Sequence, residues 1–250
     1  MQVLEMAAER SNNNTDSPEE ASDCGHCANR MRCWSAEMPS AALHRMGDVV
    51  VLRRKVTRGQ VMQRQGSSFS HVMVVRSGMV KTSVFSSDGR EQVTGFHLAG
   101  DFIGLDGLAE AQHASEAVAL RDGHVCLLHF ASLEALAQEY PLLQRQLYRL
   151  MAAEMQNKRQ WQLLFASLAA TRLAGVLVNL SQRLQARGLP HLALDLPMTR
   201  KDIGSLVGLT LESVSRGLAK LAAAHIVEVR LRQVRILNWP ALEKLQLQTP

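Results

Sequence analysis

Three cysteines, Cys24, Cys27 and Cys33, fall within ten residues of one another, and a fourth, Cys126, stands alone far downstream. A thiolate quartet is what an iron-sulfur cluster or a structural zinc requires, because soft sulfur ligands hold both and set their geometry. Cys-x2-Cys spacing serves iron and zinc alike, so the residues themselves leave the metal open. Arg30 and Arg32 lie inside the same segment, where they would offset the charge of several thiolates and lower their pKa. The segment is polar and small, and is expected to be ordered by what it binds.

Two other uses of cysteine compete with a metal site. Disulfides would need an oxidising compartment, but Met1 to Asn14 carries no apolar leader and the acidic pair Glu19-Glu20 follows. A reducing cytoplasm is therefore the expected location, and disulfides are rare there. Cys126 taken alone reads as core, since Val125-Cys126-Leu127-Leu128 has the pattern of a buried strand. No apolar run approaches the ~20 residues that span a bilayer, so no membrane partner is expected.

These residues must be held by something, and the 250-residue chain has room for two modest domains. Residues 1–22 are rich in Ser, Asn, Asp and Glu and read as a disordered tail, with the cysteine-rich segment following at 23–40. Between Val49 and Phe130, short β-rich runs (49–52, 72–75, 80–85 and 93–98) alternate with turn signals, which points to an antiparallel sandwich or jelly roll over residues 41–133. Ser86-Ser87-Asp88-Gly89 separates two of these runs as a hairpin turn.

Beyond Ser132 the apolar period lengthens to that of a helix. Pro141 divides residues 134–168 into a short helix and a long one reaching about Ala166. The seam of the long helix, Leu143, Leu147, Leu150, Met151 and Met155, is expected to face a second copy of the chain, or to pack on its own β domain.

Residues 169–250 carry helix-turn-helix grammar. Ile203, Leu206 and Val207 line one helix that opens at Thr199-Arg200, Gly208 permits a tight turn, and Thr210 caps a second helix. On that second helix Val214, Leu218 and Leu221 point one way, while Glu212, Ser215 and Arg216 share another face. A carboxylate can accept from cytosine, arginine can fork onto guanine, and serine adapts to several partners, so this triplet is a candidate base reader. Two further β runs, 226–229 and 234–237, form a wing whose Arg232 would lie on phosphate. Eight basic residues against four acidic ones from Pro197 onward carry most of the net charge of +5, which suits double-stranded DNA.

Cys24-x2-Cys27-x5-Cys33 with a distant Cys126, the run Gly95-Phe96-His97-Leu98-Ala99-Gly100-Asp101, and Glu212-x-x-Ser215-Arg216 together resemble the FNR-type oxygen-sensing regulators of the CRP/FNR superfamily. The resemblance implies an α+β chain with a cyclic-nucleotide-binding-like β jelly roll, a long dimerisation helix and a C-terminal winged helix-turn-helix. It implies that the four cysteines ligate one 4Fe-4S cluster per subunit, which oxygen degrades so that the homodimer weakens and releases DNA. It implies that Glu212, Ser215 and Arg216 read a TTGAT-like half-site of a palindrome, with Thr199, Arg200 and Thr210 as further DNA contacts. The hairpin at Ser86, Ser87, Asp88 and Gly89 would match the family's RNA polymerase contact. No enzymatic activity is implied.

Two features depart from the wider superfamily. Residues 109–118 have no basic side chain except His113, where a cyclic-nucleotide sensor wants an arginine for the phosphate; cyclic nucleotide binding is not expected. Lys158 occupies a dimer-helix position where FNR-like proteins often carry an acid, and a lysine facing its symmetry mate would repel as well. The competing reading is a CRP-like regulator that depends on zinc or thiol redox chemistry and carries no iron.

Overall fold

A computed structural model describes residues 24–27, 29–165 and 167–247, with the side chains of residues 163 and 164 excepted. The expected tail at 1–22 lies outside the described residues. After two short 3-10 turns at Cys24–His26 and Arg30–Arg32 come α1 (Ser40–Val49), β1 (Val50–Val56), β2 (Val61–Gln63), β3 (His71–Ser77), β4 (Met79–Phe85), β5 (Glu91–Leu98), β6 (Phe102–Ile103), β7 (Glu116–Ala119) and β8 (Gly123–His129). Two four-stranded antiparallel sheets result, ordered β1-β8-β3-β6 and β2-β7-β4-β5. This is the expected jelly roll.

β3 explains why the run Val72-Met73-Val74-Val75 is continuously apolar rather than alternating. Met73 and Val75 turn inward with Val80, Ile103 and Ala117 between the sheets. Val72 and Val74 turn outward, against Trp34, Met38, Leu43, Met46 and the helices that cover that sheet. A strand buried on both faces needs apolar residues at every position.

Those helices are α1, α2 (Phe130–Glu139) and the first turns of α3 (Pro141–Phe165). Pro141 opens α3, where its missing N–H costs nothing. Leu143 and Leu147 are 0% and 5% exposed within the chain's own core. Of the two packings expected for this seam, Leu143 and Leu147 take the one within the chain, covered by α1, α2 and the roll, and so do not face a second copy.

The second sheet is covered differently. α4 (Ala169–Gln185), which the sequence reading missed, leads into β9 (Ala193–Asp195), α5 (Arg200–Val207), α6 (Leu211–Ala223), β10 (Val227–Arg230), β11 (Gln233–Ile236) and α7 (Trp239–Gln246). The last three strands form a sheet ordered β10-β11-β9. Met79, Val93, Phe96, Leu98 and Leu120 of the roll share one continuous core with α4, α5, α6 and α7. No helix among the described residues is long and apolar enough to cross a membrane.

Candidate metal centre and nucleic-acid interface

The N-terminal cysteines sit on backbone wound by short-range hydrogen bonds, Arg30 N–H to Cys27 O at 2.9 Å and Cys33 N–H to Arg30 O at 3.1 Å. Three anchors hold this segment to the body. Trp34 is buried edge-on against Phe102, with ring centroids 4.8 Å apart. Asn29 Nδ2 donates to Arg76 O at 2.8 Å, and Gln146 Nε2 on α3 donates to Trp34 O at 3.1 Å.

Cys126 comes from β8, in register between Arg53 on β1 and Val74 on β3. All four cysteines are half-buried free thiols and line one pocket together with Arg30, Arg53 and Arg76. Cys126 thus packs against the core, as its strand pattern reads, and also lines this pocket. Burial pushes the Cys24 and Cys33 thiols up, and pushes Cys126 up to about 11, against the pull of Arg53 on Cys24 and Cys126. Bare thiols at Cys24, Cys33 and Cys126 stay protonated at neutral pH; as thiolates these three would need a metal to neutralise them.

The residues fit such a group in another respect. Arg30 Nε is buried with no hydrogen-bond partner, on the wall of this pocket. A buried guanidinium N–H with nothing to donate to is costly, and a thiolate or an inorganic sulfide would accept from it. Among the described residues no three His, Cys, Asp or Glu side chains converge as the ligands of a single ion do.

At the other end of the chain, α5 and α6 form the helix-turn-helix. Thr199 and Asp202 close a capping box, with Asp202 N–H to Thr199 Oγ1 at 3.0 Å and Thr199 N–H to Asp202 Oδ2 at 2.8 Å. Gly208 ends α5 at φ 66°, a conformation that an L side chain rarely adopts. Thr210 caps α6 by accepting from Ser213 N–H at 3.1 Å. Val214, Leu218 and Leu221 are buried, which leaves Glu212, Ser215 and Arg216 exposed together at the N-terminal end of α6. Hydrogen bonds from its own N–H and the Thr210 hydroxyl, then the charge of Arg216, lower the Glu212 pKa and keep it an acceptor.

The wing is β10 and β11, joined at Leu231-Arg232. Arg232 is exposed at its tip, while Arg230 is tied to Glu228 at 2.8 Å. Arg200 is half-buried and donates to Leu231 O at 3.2 Å, so it braces the wing against α5. Thr199 and Thr210 are exposed, with their hydroxyls engaged in the caps. Sequence reasoning missed Arg172 of α4, which donates to the Val207 and Gly208 carbonyls at 3.1 Å and finishes α5 where its own ladder ends.

The roll grips this unit directly. Lys81 on β4 bonds both Glu91 and Asp202 at 2.8 Å, and Ser205 Oγ accepts from Val93 N–H at 2.8 Å. Burial disfavours the Lys81 charge, but Asp202 and Glu91 outweigh it and raise its pKa. The hairpin between β4 and β5 is exposed and internally hydrogen-bonded: Gln65 brackets Phe85, Ser86 bonds Asp88, and Arg90 Nε donates to Asp88 at 2.6 Å. A cavity of about 210 Å³ lies between roll, α3 and α4, lined among others by His97, Asp106, Ser115, Glu154 and Asn179. Asp106, just before the stretch 109–118, accepts from Ser115 Oγ at 2.6 Å.

Residues 53–140 match the cyclic nucleotide-binding domain family, and residues 171–245 match the Crp-like helix-turn-helix domain family. The transcriptional regulatory protein btr of Bordetella pertussis is 36% identical over 89% of this chain and 94% of its own length. The fumarate and nitrate reduction regulatory protein of Escherichia coli is 33% identical over 89% of each chain. The structure of FixK2 from Bradyrhizobium japonicum superposes with a TM-score of 0.72 at 30% identity, covering 79% of this chain and 98% of that one. With β roll, long helix and winged helix-turn-helix in this order, and with relatives of this identity along nearly its whole described length, the chain belongs to the CRP/FNR family of DNA-binding transcription regulators, and is not an enzyme.

Proposed function

We propose that this chain is an oxygen-responsive regulator in which Cys24, Cys27, Cys33 and Cys126 hold one 4Fe-4S cluster per subunit. The single observation that carries the reading is the pocket itself, where three clustered cysteines meet a fourth from β8 beside the unpartnered Arg30 Nε. Names among the relatives, an anaerobic regulatory protein and a fumarate and nitrate reduction regulator, agree with it. When bound, the cluster supplies the reactivity toward oxygen; the chain supplies the consequence.

That consequence runs through α3. Its outer face carries Tyr148 and Met155, 60% and 72% exposed, with the half-buried Met151 beside them and Lys158 further along. This stripe is the proposed homodimer contact, and Leu150 flanks it from the chain's own core. The cysteine segment holds α3 through Gln146, so ordering the one steadies the other. Two copies place two α6 helices on the half-sites of a TTGAT-like palindrome, where Glu212, Ser215 and Arg216 read bases and Arg232 lies on phosphate. Doubling the phosphate contacts raises affinity steeply, which makes dimerisation an effective gate. The exposed hairpin Ser86–Gly89 is the proposed contact with RNA polymerase, and residues 109–118, where His113 is the one basic side chain, argue against a cyclic nucleotide.

The test is a visible absorption spectrum with iron and sulfide assays on anaerobically purified protein, followed by controlled air exposure. A straw-brown, oxygen-labile chromophore with about four irons per chain supports the reading. Colourless protein with stoichiometric zinc keeps the DNA-binding unit and moves the signal to zinc or thiol chemistry.

A further inference from the structure

We infer that the turn at Ala99-Gly100-Asp101 couples the cysteine segment to the DNA-binding unit inside a single subunit, with Asp101 as the positioning residue. The inference rests on the cluster reading and adds a route that does not pass through the dimer helix.

The backbone beside Cys33 lies directly on this turn. A Cβ at Gly100 would stand 2.1 Å from Arg32 O, and the residue adopts φ +95°, so only glycine lets the segment settle there. Gly100 N–H is fixed in turn to Val75 O at 2.7 Å. The next residue faces the opposite way. The Asp101 carboxylate meets the guanidinium groups of Arg183, on the last turn of α4, and of Arg187, in the turn that follows it, and accepts from Leu98 N–H at 2.7 Å. Arg187 Nε also donates to Ala99 O at 2.9 Å, and Arg183 Nη1 to Phe96 O at 2.8 Å. α4 lies under the helix-turn-helix, its Leu173 and Leu177 in the same core as Val214 and Leu218 of α6.

The clasp has two discrete states because its members are mostly buried: Asp101, Arg183 and Arg187 side chains are 17%, 22% and 17% exposed. Partial opening would leave a buried charge unpaired, so the three groups hold or release together. A cysteine segment stapled at four points keeps Arg32 against Gly100 and the turn closed. Without the staple the segment is left to its Trp34, Asn29 and Gln146 anchors, the turn loosens, and α4 loses the carboxylate that sets its angle.

Two full-length chains joined by a flexible linker stay dimeric in every state, so their DNA affinity no longer reports association. Fluorescence anisotropy with a duplex bearing inverted TTGAT half-sites, before and after air exposure, measures what remains; amide exchange along α4 and the iron content are read on the same samples. Cluster loss is expected to weaken DNA binding of the tethered protein within the ~5–150-fold range usual for coupled sites, and to speed exchange in α4. Arg187→Met, which keeps one arginine on Asp101, should load iron normally and bring that ratio toward one, and the isosteric Asp101→Asn should do the same. Arg121→Ala, which removes the roll's separate ion pair with Asp195, should leave the ratio unchanged. A tethered wild type that binds equally well with and without its cluster overturns the inference, as does an unaltered ratio in both clasp variants. Protein that carries no iron overturns the proposed function and this route with it, and the assay identifies that case before any DNA is added.

Discussion

The side chain of Gln146, one turn into α3, hydrogen-bonds the backbone carbonyl of Trp34, the residue that follows Cys33. This bond of 3.1 Å joins the cysteine pocket to the long helix with no intermediary. Gln146→Ala should leave iron content unchanged and weaken dimerisation of the loaded protein. A bond of this kind contributes about 0.5–1.5 kcal/mol, so sedimentation should read a two- to tenfold rise in the dimer dissociation constant, roughly. An unchanged constant would remove this bond from the coupling.

The two faces of α3 should behave oppositely. Leu143→Ala opens a cavity in the subunit core and is expected to cost about 2–5 kcal/mol of unfolding free energy. Met155→Ala, on the exposed face, should leave subunit stability within about 0.5 kcal/mol and weaken dimerisation instead. Denaturant melts and sedimentation on the same two variants separate these outcomes.

Arg216 and Arg232 differ in kind. Removing Arg216 from the exposed face of α6 should cost about 1–3 kcal/mol of DNA binding and relax discrimination at one half-site position. Arg232→Ala should weaken binding across all sequences and reduce the salt slope by about one. Selection from a randomised half-site library shows which arginine reads sequence.

The junction of Lys81, Glu91 and Asp202 carries a pH signature. Burial works against both carboxylates, but hydrogen bonds from Lys81, then from Ser83 to Glu91 and from Thr199 to Asp202, hold their pKa values below the ordinary range. Groups depressed in this way stabilise the fold above their unfolded pKa and lose that contribution as pH falls through the folded value. Lys81 is raised, so its share is complete at neutral pH and fades only under alkaline conditions. Thermal stability should therefore be flat near neutrality and fall in acid, and Asp202→Asn should flatten the acid limb while lowering the plateau.

Much of the site was legible because its chemistry is local. The Gly208 turn and the Thr210 cap each depend on a few neighbouring residues, and both are found where the pattern places them. α4 was not read as a separate helix: it follows α3 with no Gly or Pro between them and has Leu168 at its N-cap with no side-chain cap, so nothing local marks where one helix stops and the next begins. Leu143 and Leu147 show the complementary limit. Periodicity reveals that a face is apolar, whereas which body covers it is decided by residues far away, here α1 and α2. Nothing in the pattern brings Arg32 against Gly100, since that contact joins two local structures that each make sense alone.

The core that Met79, Val93, Phe96, Leu98 and Leu120 share with the helices of the C-terminal unit bears on how such regulators can be recombined. Sequence similarity parts this chain into two modules with a seam near residue 170, an inviting place to cut. A fragment made there would carry away Ile203 and Leu206 stripped of their cover, and would leave Phe96 and Leu98 bare on the remaining piece. Both halves would be adhesive, so a working chimera must import the matching surface of β4 and β5 along with the DNA-reading helices. The inheritable unit is recognition helix plus docking sheet.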